Sequence, residues 1–169
     1  MASRITRTTR QWLIDALFQL MKHQDYATIT VEQIYTTAEL SRKTFYRKFK
    51  SKDDVLNQAI ADWQKDFEAA IQAASPTDWE AFSGAFFLYW NDYRDQLTVL
   101  IQHHLQGMFL ANMTACAPTL PWLCSQSASR QAFLLTGLAG VLVAWCTSEN
   151  PTKGLNIAAL QAEVAALMA

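Results

Sequence analysis

The sequence predicts an all-α fold, and three observations carry this prediction. Apolar residues recur at helical spacing in successive segments, no segment alternates apolar and polar residues as a half-buried strand does, and Pro-containing stretches separate the helical segments. With 51% hydrophobic residues, the 169-residue chain can bury a core without metals or disulfides. We therefore expect helices packed around one or two apolar cores.

Four helices are predicted in the first part of the chain. An apolar stripe over 12–21 predicts the first helix. Thr30 and Ser41 have side chains that N-cap positions prefer, and they open a short second helix and a third helix over 42–48. Ser51 is followed by two Asp residues in the first helical turn and begins a longer fourth helix.

Further helices follow the segment "SPTD", which ends the fourth. An unusually aromatic segment predicts a helix over 79–93, and later helices are expected over about 96–112, 127–148 and 156–168. The run 131–148 has no charged side chain, but it contains polar residues and two glycines and is short for a membrane span of roughly 20 apolar residues. We interpret it as a helix buried on all sides, either within the chain or in a subunit interface, and predict no membrane association.

Charge is unevenly distributed along the chain. Residues 1–52 hold ten Lys and Arg against four Asp and Glu, whereas residues 53–169 hold four against eleven, although the whole chain has a net charge of −1. An anionic partner is therefore expected for the first part only. We predict two domains at this division, 1–52 and 53–169.

The second and third predicted helices have the dimensions of a helix-turn-helix. Their spacing buries Phe45 and Phe49 and leaves an exposed face that holds Arg42, Lys43, Thr44 and Arg47. In a major groove, Arg and Lys donate to guanine, Thr contacts a base edge or a thymine methyl group, and the Tyr46 hydroxyl reaches a phosphate. Thr30 and Lys52 lie at predicted helix N-termini, which favour anions.

Two alternatives remain open in this region. A basic amphipathic helix pair can be a solvated surface, but the ordered series of cap, short helix, turn, basic helix and Lys-capped helix favours DNA recognition, as does the charge division. Arg4, Arg7 and Arg10 form either an arm that reaches phosphates or the minor groove, or a solvated terminus.

The segment "ITVEQIYTTAELSRKTFYRKFKSKDDVL" resembles the DNA-binding segment of the tetracycline-repressor (TetR) family of bacterial transcription regulators. The resemblance covers about residues 8–60, and it implies a three-helix DNA-binding domain followed by a helical domain for dimerisation and ligand binding. Together with the residue types, it gives these candidate DNA-binding residues: Thr30, Ser41, Arg42, Lys43, Thr44, Tyr46, Arg47, Lys48 and Lys52. Thr30 and Lys52 match contacts to the DNA backbone in that family.

Two residues depart from the family pattern. Glu39 stands at the turn between the two helices, where the family usually has Gly. Since a left-handed backbone costs a non-Gly residue about 1 kcal/mol or more, we expect this turn to be shaped differently. Lys48 stands where an aromatic residue or His is common, and it adds positive charge beside the groove.

The resemblance also implies a homodimeric repressor that binds a palindromic operator and is released by a small-molecule effector. A dimer agrees with a physical argument, because one recognition helix contacts few bases whereas two helices read a palindrome. The last two predicted helices resemble the two that pair with a second copy as a four-helix bundle in many members of that family. Small residues on the first of them allow close helix approach, within one chain or between two. The dimer-interface candidates are Gly137, Gly140, Val141, Ala144, Leu160 and Val164.

An aromatic set after residue 80 gives candidates for an effector pocket, because pockets are mostly apolar with a few polar groups. These candidates are Phe86, Trp90, Tyr93, His103, His104, Met108, Phe109 and Trp122. Such a lining suits a small apolar or aromatic effector, but the same composition describes an ordinary core, and we interpret most of these residues as core. Adjacent histidines point about 100° apart on a helix, so no metal site is predicted.

Other classes of site lack support. The three cysteines, Cys116, Cys124 and Cys146, are odd in number and lack CxxC spacing, so we expect buried thiols rather than disulfides or a zinc cluster. No nucleophile elbow, phosphate-binding glycine loop or HExxH motif is present, and neither enzymatic activity nor a cofactor is predicted. The basic N-terminal stretch lacks the apolar core of an export signal, and we expect a cytoplasmic protein.

Two functions remain as alternatives to a ligand-responsive repressor. One is a TetR-like DNA-binding adaptor whose C-terminal domain is controlled by a protein partner. The other is a helical enzyme or carrier that retains the N-terminal module. A closed cavity would favour the repressor, an exposed apolar patch beyond the dimer interface would favour the adaptor, and a polar constellation in the pocket would favour the enzyme.

Overall fold

The structure, a computed structural model, describes residues 8–147, 158 and 161–162. Eight α-helices and no strand are found among these residues, which confirms the predicted all-α class. The chain divides into two compact units, Met1–Ile60 and Ala61–Ala169. The predicted domain boundary lies where the fourth helix begins, and the division between the two units lies within that helix.

The N-terminal unit contains α1 (Thr9–Met21), α2 (Val31–Thr37), α3 (Arg42–Lys48) and the beginning of α4 (Lys52–Ala74). These bounds agree with the four helices that the caps and apolar stripes predict. Each helix contributes a fully buried side chain to the core of this unit, and these include Leu17, Ile34, Phe45 and Leu56. Helices shorter than about 12 residues are marginal in water, so α2 and α3 depend on this packing.

In the C-terminal unit, the rest of α4 is followed by α5 (Trp79–Asn91), α6 (Arg94–Gln102), α7 (Gln106–Ala115) and α8 (Ala128–Cys146). Short 3₁₀ turns at Ala117–Thr119 and Leu123–Ser125 connect α7 to α8. Helix α8 packs against α5, α6 and α7. It begins as predicted at an N-cap Ser127, whose hydroxyl accepts from the Arg130 N–H at 3.4 Å.

The single helix predicted over 96–112 is wrong, because the chain turns between α6 and α7. His104 has a φ of 58°, its N–H donates to the Ile101 carbonyl at 3.0 Å, and the Leu105 N–H donates to the Leu100 carbonyl at 2.8 Å. These bonds form a Schellman motif, which ends a helix with a left-handed residue that is usually Gly or Asn. Because a His stands there instead, the sequence has no glycine to mark the turn.

Two of the three cysteines are buried as predicted, and the third is not. Cys116 and Cys146 are buried, whereas Cys124 is exposed in the 3₁₀ turn that precedes α8. Burial raises the pKa of the Cys116 thiol to about 12, with a smaller contribution from the Glu68 carboxylate. Burial also raises the pKa of Cys146. Both buried thiols are therefore protonated at neutral pH.

Helix α8 is long and apolar enough to cross a membrane by length and composition alone. The core helix of a soluble protein passes the same test, and α8 buries Leu135, Leu138 and Leu142 completely within the C-terminal unit. However, 33% of its apolar window is buried, so the prediction of a helix buried on all sides is wrong for a single chain. Its apolar character is therefore weak evidence for a membrane span.

Candidate nucleic-acid interface

Side-chain caps fix the beginning of both short helices. At α2, the Gln33 N–H donates to the Thr30 hydroxyl at 3.2 Å and the Thr30 N–H donates to the Gln33 side-chain oxygen at 2.8 Å, which together form a capping box. At α3, the Thr44 N–H donates to the Ser41 hydroxyl at 3.1 Å. One such cap contributes about 1 kcal/mol. The caps therefore define where each helix starts.

The turn between α2 and α3 contains a left-handed residue. Glu39 has a φ of 55°, its N–H donates to the Thr36 carbonyl at 3.0 Å, and the Leu40 N–H donates to the Tyr35 carbonyl at 2.8 Å. These bonds form a Schellman motif, in which Gly is the usual left-handed residue. The expectation of a differently shaped turn is wrong, because Glu39 adopts the left-handed conformation at a cost of roughly 1–2 kcal/mol.

Helix α3 presents a basic face above a buried aromatic pair. Phe45 is fully buried and Phe49 is nearly so, as the spacing predicts. Thr44 is half-buried, and the exposed residues of this segment are Ser41, Arg42, Lys43, Tyr46, Arg47 and Lys48. The Tyr46 side chain is 50% exposed, and the Arg42 guanidinium lies 5.7 Å from the centroid of its ring. All four cations of this helix are thus available to a polyanion.

Thr30 and Lys52 differ in what their side chains can offer to DNA. Thr30 is exposed at the start of α2. Lys52 is half-buried, and its ammonium donates to three backbone carbonyls of the loop that joins α1 to α2. Next to it, the Asp53 carboxylate accepts from the Tyr26 hydroxyl. These contacts join residues far apart in the chain, so no sequence pattern predicts them.

The three Arg residues considered as an N-terminal arm are not equivalent. Arg10 lies within α1 and is half-buried, so it belongs to the folded unit and not to an arm. Arg4 and Arg7 lie outside the described residues.

The pocket candidates of the C-terminal unit lie mostly in a packed aromatic core. Phe86, Trp90 and Phe109 are buried, and the Trp90 ring centroid lies 4.8 Å from that of Phe109 and 5.5 Å from that of Phe67. Three further candidates are half-buried aromatic or Met side chains: Tyr93, Met108 and Trp122. His103 is half-buried, whereas His104 is exposed at the turn between α6 and α7.

A site beside this core leaves no room for a water molecule. Its lining comes from α6, α7 and α8 and includes Leu97, Leu100, Phe109, Leu142 and Cys146. Within the described ranges, no group of three or more His, Cys, Asp or Glu side chains is placed to hold a metal ion. The packing here is that of a core.

An apolar face of α8 is exposed. Phe133 is 64% exposed, and Gly137, Gly140 and Ala144 follow it at helical spacing on the same face. A Cβ atom built at either glycine meets nothing within 4 Å. Val141 is half-buried beside them. The other two dimer-interface candidates, Leu160 and Val164, lie outside the described residues.

Comparison with known proteins finds likenesses to one family within the N-terminal unit. A sequence profile described as "Bacterial regulatory proteins, tetR family" matches residues 13–59. The chain is 38% identical over 82 residues to the HTH-type transcriptional regulator TcmR of Streptomyces glaucescens. That match covers 47% of this chain and 36% of TcmR, so the chain matches about a third of that relative's length.

Two solved structures resemble the chain over nearly its whole length. The dihydroxyacetone kinase operon activator DhaS is 18% identical, with a TM-score of 0.57 over 94% of this chain and 93% of DhaS. The TetR family repressor AlkX from a Dietzia strain is 19% identical, with a TM-score of 0.58 over 95% of each chain. At these identities the likeness shows the fold, and one of the two proteins is named an activator and the other a repressor.

Proposed function

We propose that this chain, which belongs through residues 13–59 to the TetR family of bacterial regulatory proteins, is a sequence-specific DNA-binding regulator of transcription. The observation that carries the proposal is the exposed basic face of α3, held in place by the capped α2 and the Schellman turn within the matched segment. DNA lies in the bacterial cytoplasm, so the protein acts there.

Each side chain of the interface has a proposed role. Arg42, Lys43 and Arg47 donate to base edges in the major groove, and Thr44 contacts a base edge or a thymine methyl group. Contacts to phosphates come from Ser41, Tyr46, Lys48 and Thr30. Lys52 also faces a phosphate, but through its backbone N–H in the first turn of α4, because its ammonium is already bound to carbonyls.

The proposed functional form is a homodimer that binds a palindromic operator. An exposed face of small and apolar residues on α8 suits close packing against a second copy, and two copies present two α3 helices to successive turns of the major groove. Replacing Gly140 by Arg would place a charge in that interface. We expect Gly140→Arg to sediment as a monomer, whereas Gly107→Arg, at an exposed glycine of α7 with equally open surroundings, remains a dimer.

The proposed mode of control is repression that a small apolar or aromatic effector relieves. In such a mechanism the effector binds one conformation of the C-terminal unit better than the other and so lowers the affinity for DNA. The site between α6, α7 and α8 has no room for a water molecule, so the effector would have to separate these helices to enter there.

An exposed apolar side chain of the C-terminal unit favours a second candidate, an adaptor whose C-terminal unit is controlled by a protein partner. Such a partner binds the surface and does not need a cavity. Leu88 on α5 is 64% exposed and gives such a surface an apolar contact. Small compounds chosen from the functions of the genes beside the selected operator distinguish the two candidates. If one of them is an effector, it would raise the unfolding midpoint of the free protein and release DNA, whereas a chain controlled by a protein partner would show neither effect.

The central experiment is selection of genomic DNA fragments by the purified protein at moderate salt, with Tyr46→Ala as the control variant. We expect an enriched palindrome that the variant does not retain. Equal enrichment by both proteins, or none, would contradict the proposed function. On the selected operator, Lys43→Ala should change the preferred base at one position in each half-site, and an equal loss of affinity for all four bases would exclude Lys43 from base readout.

A further inference from the structure

The Lys52 ammonium is fully engaged within the N-terminal unit. It donates to the carbonyl of Tyr26 at 2.7 Å, to that of Ala27 at 3.0 Å and to that of Ile29 at 3.0 Å. A Lys ammonium has three N–H donors, so these bonds use all of them. The ammonium also lies 4.7 Å from the centroid of the Tyr26 ring, which adds a cation–π contact.

The three carbonyls belong to one short segment with one role in the fold. They come from the 3₁₀ turn Tyr26–Thr28 and from Ile29, which directly precedes Thr30, the N-cap of α2. The neighbouring Asp53 carboxylate accepts from the Tyr26 hydroxyl, so two consecutive residues of α4 hold this loop. The first turn of α4 therefore fixes the place where α2 begins.

A phosphate would have to compete with these carbonyls for the ammonium. Moving the ammonium to DNA would break three charge-assisted hydrogen bonds, which are stronger than neutral ones. It would also withdraw a positive charge from the face of Tyr26. Contact between the Lys52 ammonium and a phosphate would therefore remove the hydrogen bonds and the cation–π contact that stabilise loop 26–29.

We propose that Lys52 is a positioning residue: its ammonium clamps loop 26–29 to the start of α4, and so sets the position of α2 and Thr30 at the DNA, without itself neutralising a phosphate. This inference rests on the proposed function, since it concerns how DNA binding is prepared. The clamp itself exists without DNA and is measurable in the free protein.

The DNA-binding arm of the test uses Lys52→Met, which keeps most of the aliphatic stem, and Lys52→Arg, which keeps the charge. Lys22→Met, at an exposed Lys in the same unit, is the control for loss of one charge. We expect Lys52→Met to bind the operator roughly tenfold more weakly with the salt slope of Lys22→Met. A direct phosphate contact predicts a slope shallower by about 0.9 instead, which would overturn the proposal.

Lys52→Arg separates the two roles by geometry. Arg binds phosphate as well as Lys or better, so a phosphate contact would survive this change. A planar guanidinium cannot direct three donors at three carbonyls from one atom, so the clamp would not survive. We expect Lys52→Arg to bind several-fold more weakly than the wild type, and an affinity equal to or above that of the wild type would contradict the clamp.

The second arm measures hydrogen exchange in the free protein. The Ile29 N–H donates to the Tyr26 carbonyl at 3.2 Å and the Ile34 N–H donates to the Thr30 carbonyl at 3.2 Å, so both amides report on the loop and on the start of α2. We expect both to exchange roughly tenfold faster in Lys52→Met and at the wild-type rate in Lys22→Met. Unchanged exchange would refute the clamp, whereas a wild type that binds no operator would refute only the proposed function.

Discussion

Replacing Glu39 by Gly should stabilise the N-terminal unit. Glu39 occupies the left-handed position of the turn between α2 and α3, where a non-Gly residue pays roughly 1–2 kcal/mol. Gly removes that cost, but its greater conformational freedom in the unfolded chain lowers the stability of the folded state by about 0.4–1 kcal/mol. The side chain is exposed, so its loss removes little packing. The net gain from the backbone is therefore about 0.5–1 kcal/mol.

A matched variant separates this backbone effect from the effect of charge. Glu39 is also an acid at the C-terminal end of α2, where the helix dipole disfavours it by roughly 0.3–1 kcal/mol. Glu39→Ala removes the same charge but keeps a Cβ in the left-handed conformation. The difference in stability between the Gly and Ala variants therefore reports the backbone contribution alone.

The assay is urea unfolding followed by the NMR amide signals of residues 31–48, which report this unit. We expect the free energy of unfolding to rise in the order wild type, Glu39→Ala, Glu39→Gly, with the last two separated by about 0.5–1 kcal/mol. If Glu39→Gly is no more stable than Glu39→Ala, the left-handed turn does not exist in solution and the reasoning fails.

Three further outcomes are expected. Trp90→Ala should lower the free energy of unfolding in urea by about 3–5 kcal/mol, because Trp90 is fully buried. Trp12→Ala, at a side chain that is 45% exposed, should lower it far less, and similar losses for the two variants would contradict the packed core. Thr30→Ala should cost about 1 kcal/mol through the lost capping box, and Thr30→Ser should restore most of it. The folded state holds the Cys116 proton to about pH 12 while the unfolded chain releases it near its ordinary pKa of 9.0, so the folded state binds more protons and stability falls as pH rises above 9. Cys116→Ala should reduce that fall by up to about 1.4 kcal/mol per pH unit, and an unchanged pH dependence would show that the thiol is not shielded.

The starts of α2 and α3 and the buried side of α3 were predicted correctly, because the interactions that determine them are local. Thr30 and Ser41 cap helices through bonds to amides three residues ahead, and the burial of Phe45 follows from helical spacing within α3. Interactions within one helical turn involve residues that are close in the sequence, so the residue types alone predict them. The Schellman turns at Glu39 and His104 were harder to predict, because neither left-handed residue is the usual Gly. There the surrounding fold overrides a local preference of roughly 1–2 kcal/mol.

The sequence by itself determined the all-α class, the helix-turn-helix and the basic face of α3, since caps, periodicity and charge act over a few residues. Only the tertiary structure decided that the Lys52 ammonium binds three carbonyls, and that Trp90 and Phe109 pack together. Those contacts join residues that are distant in the chain, and their partners are chosen by the packing of whole helices. A list of residue types identifies a Lys at a helix start, but the fold decides whether its charge meets DNA or the protein's own backbone.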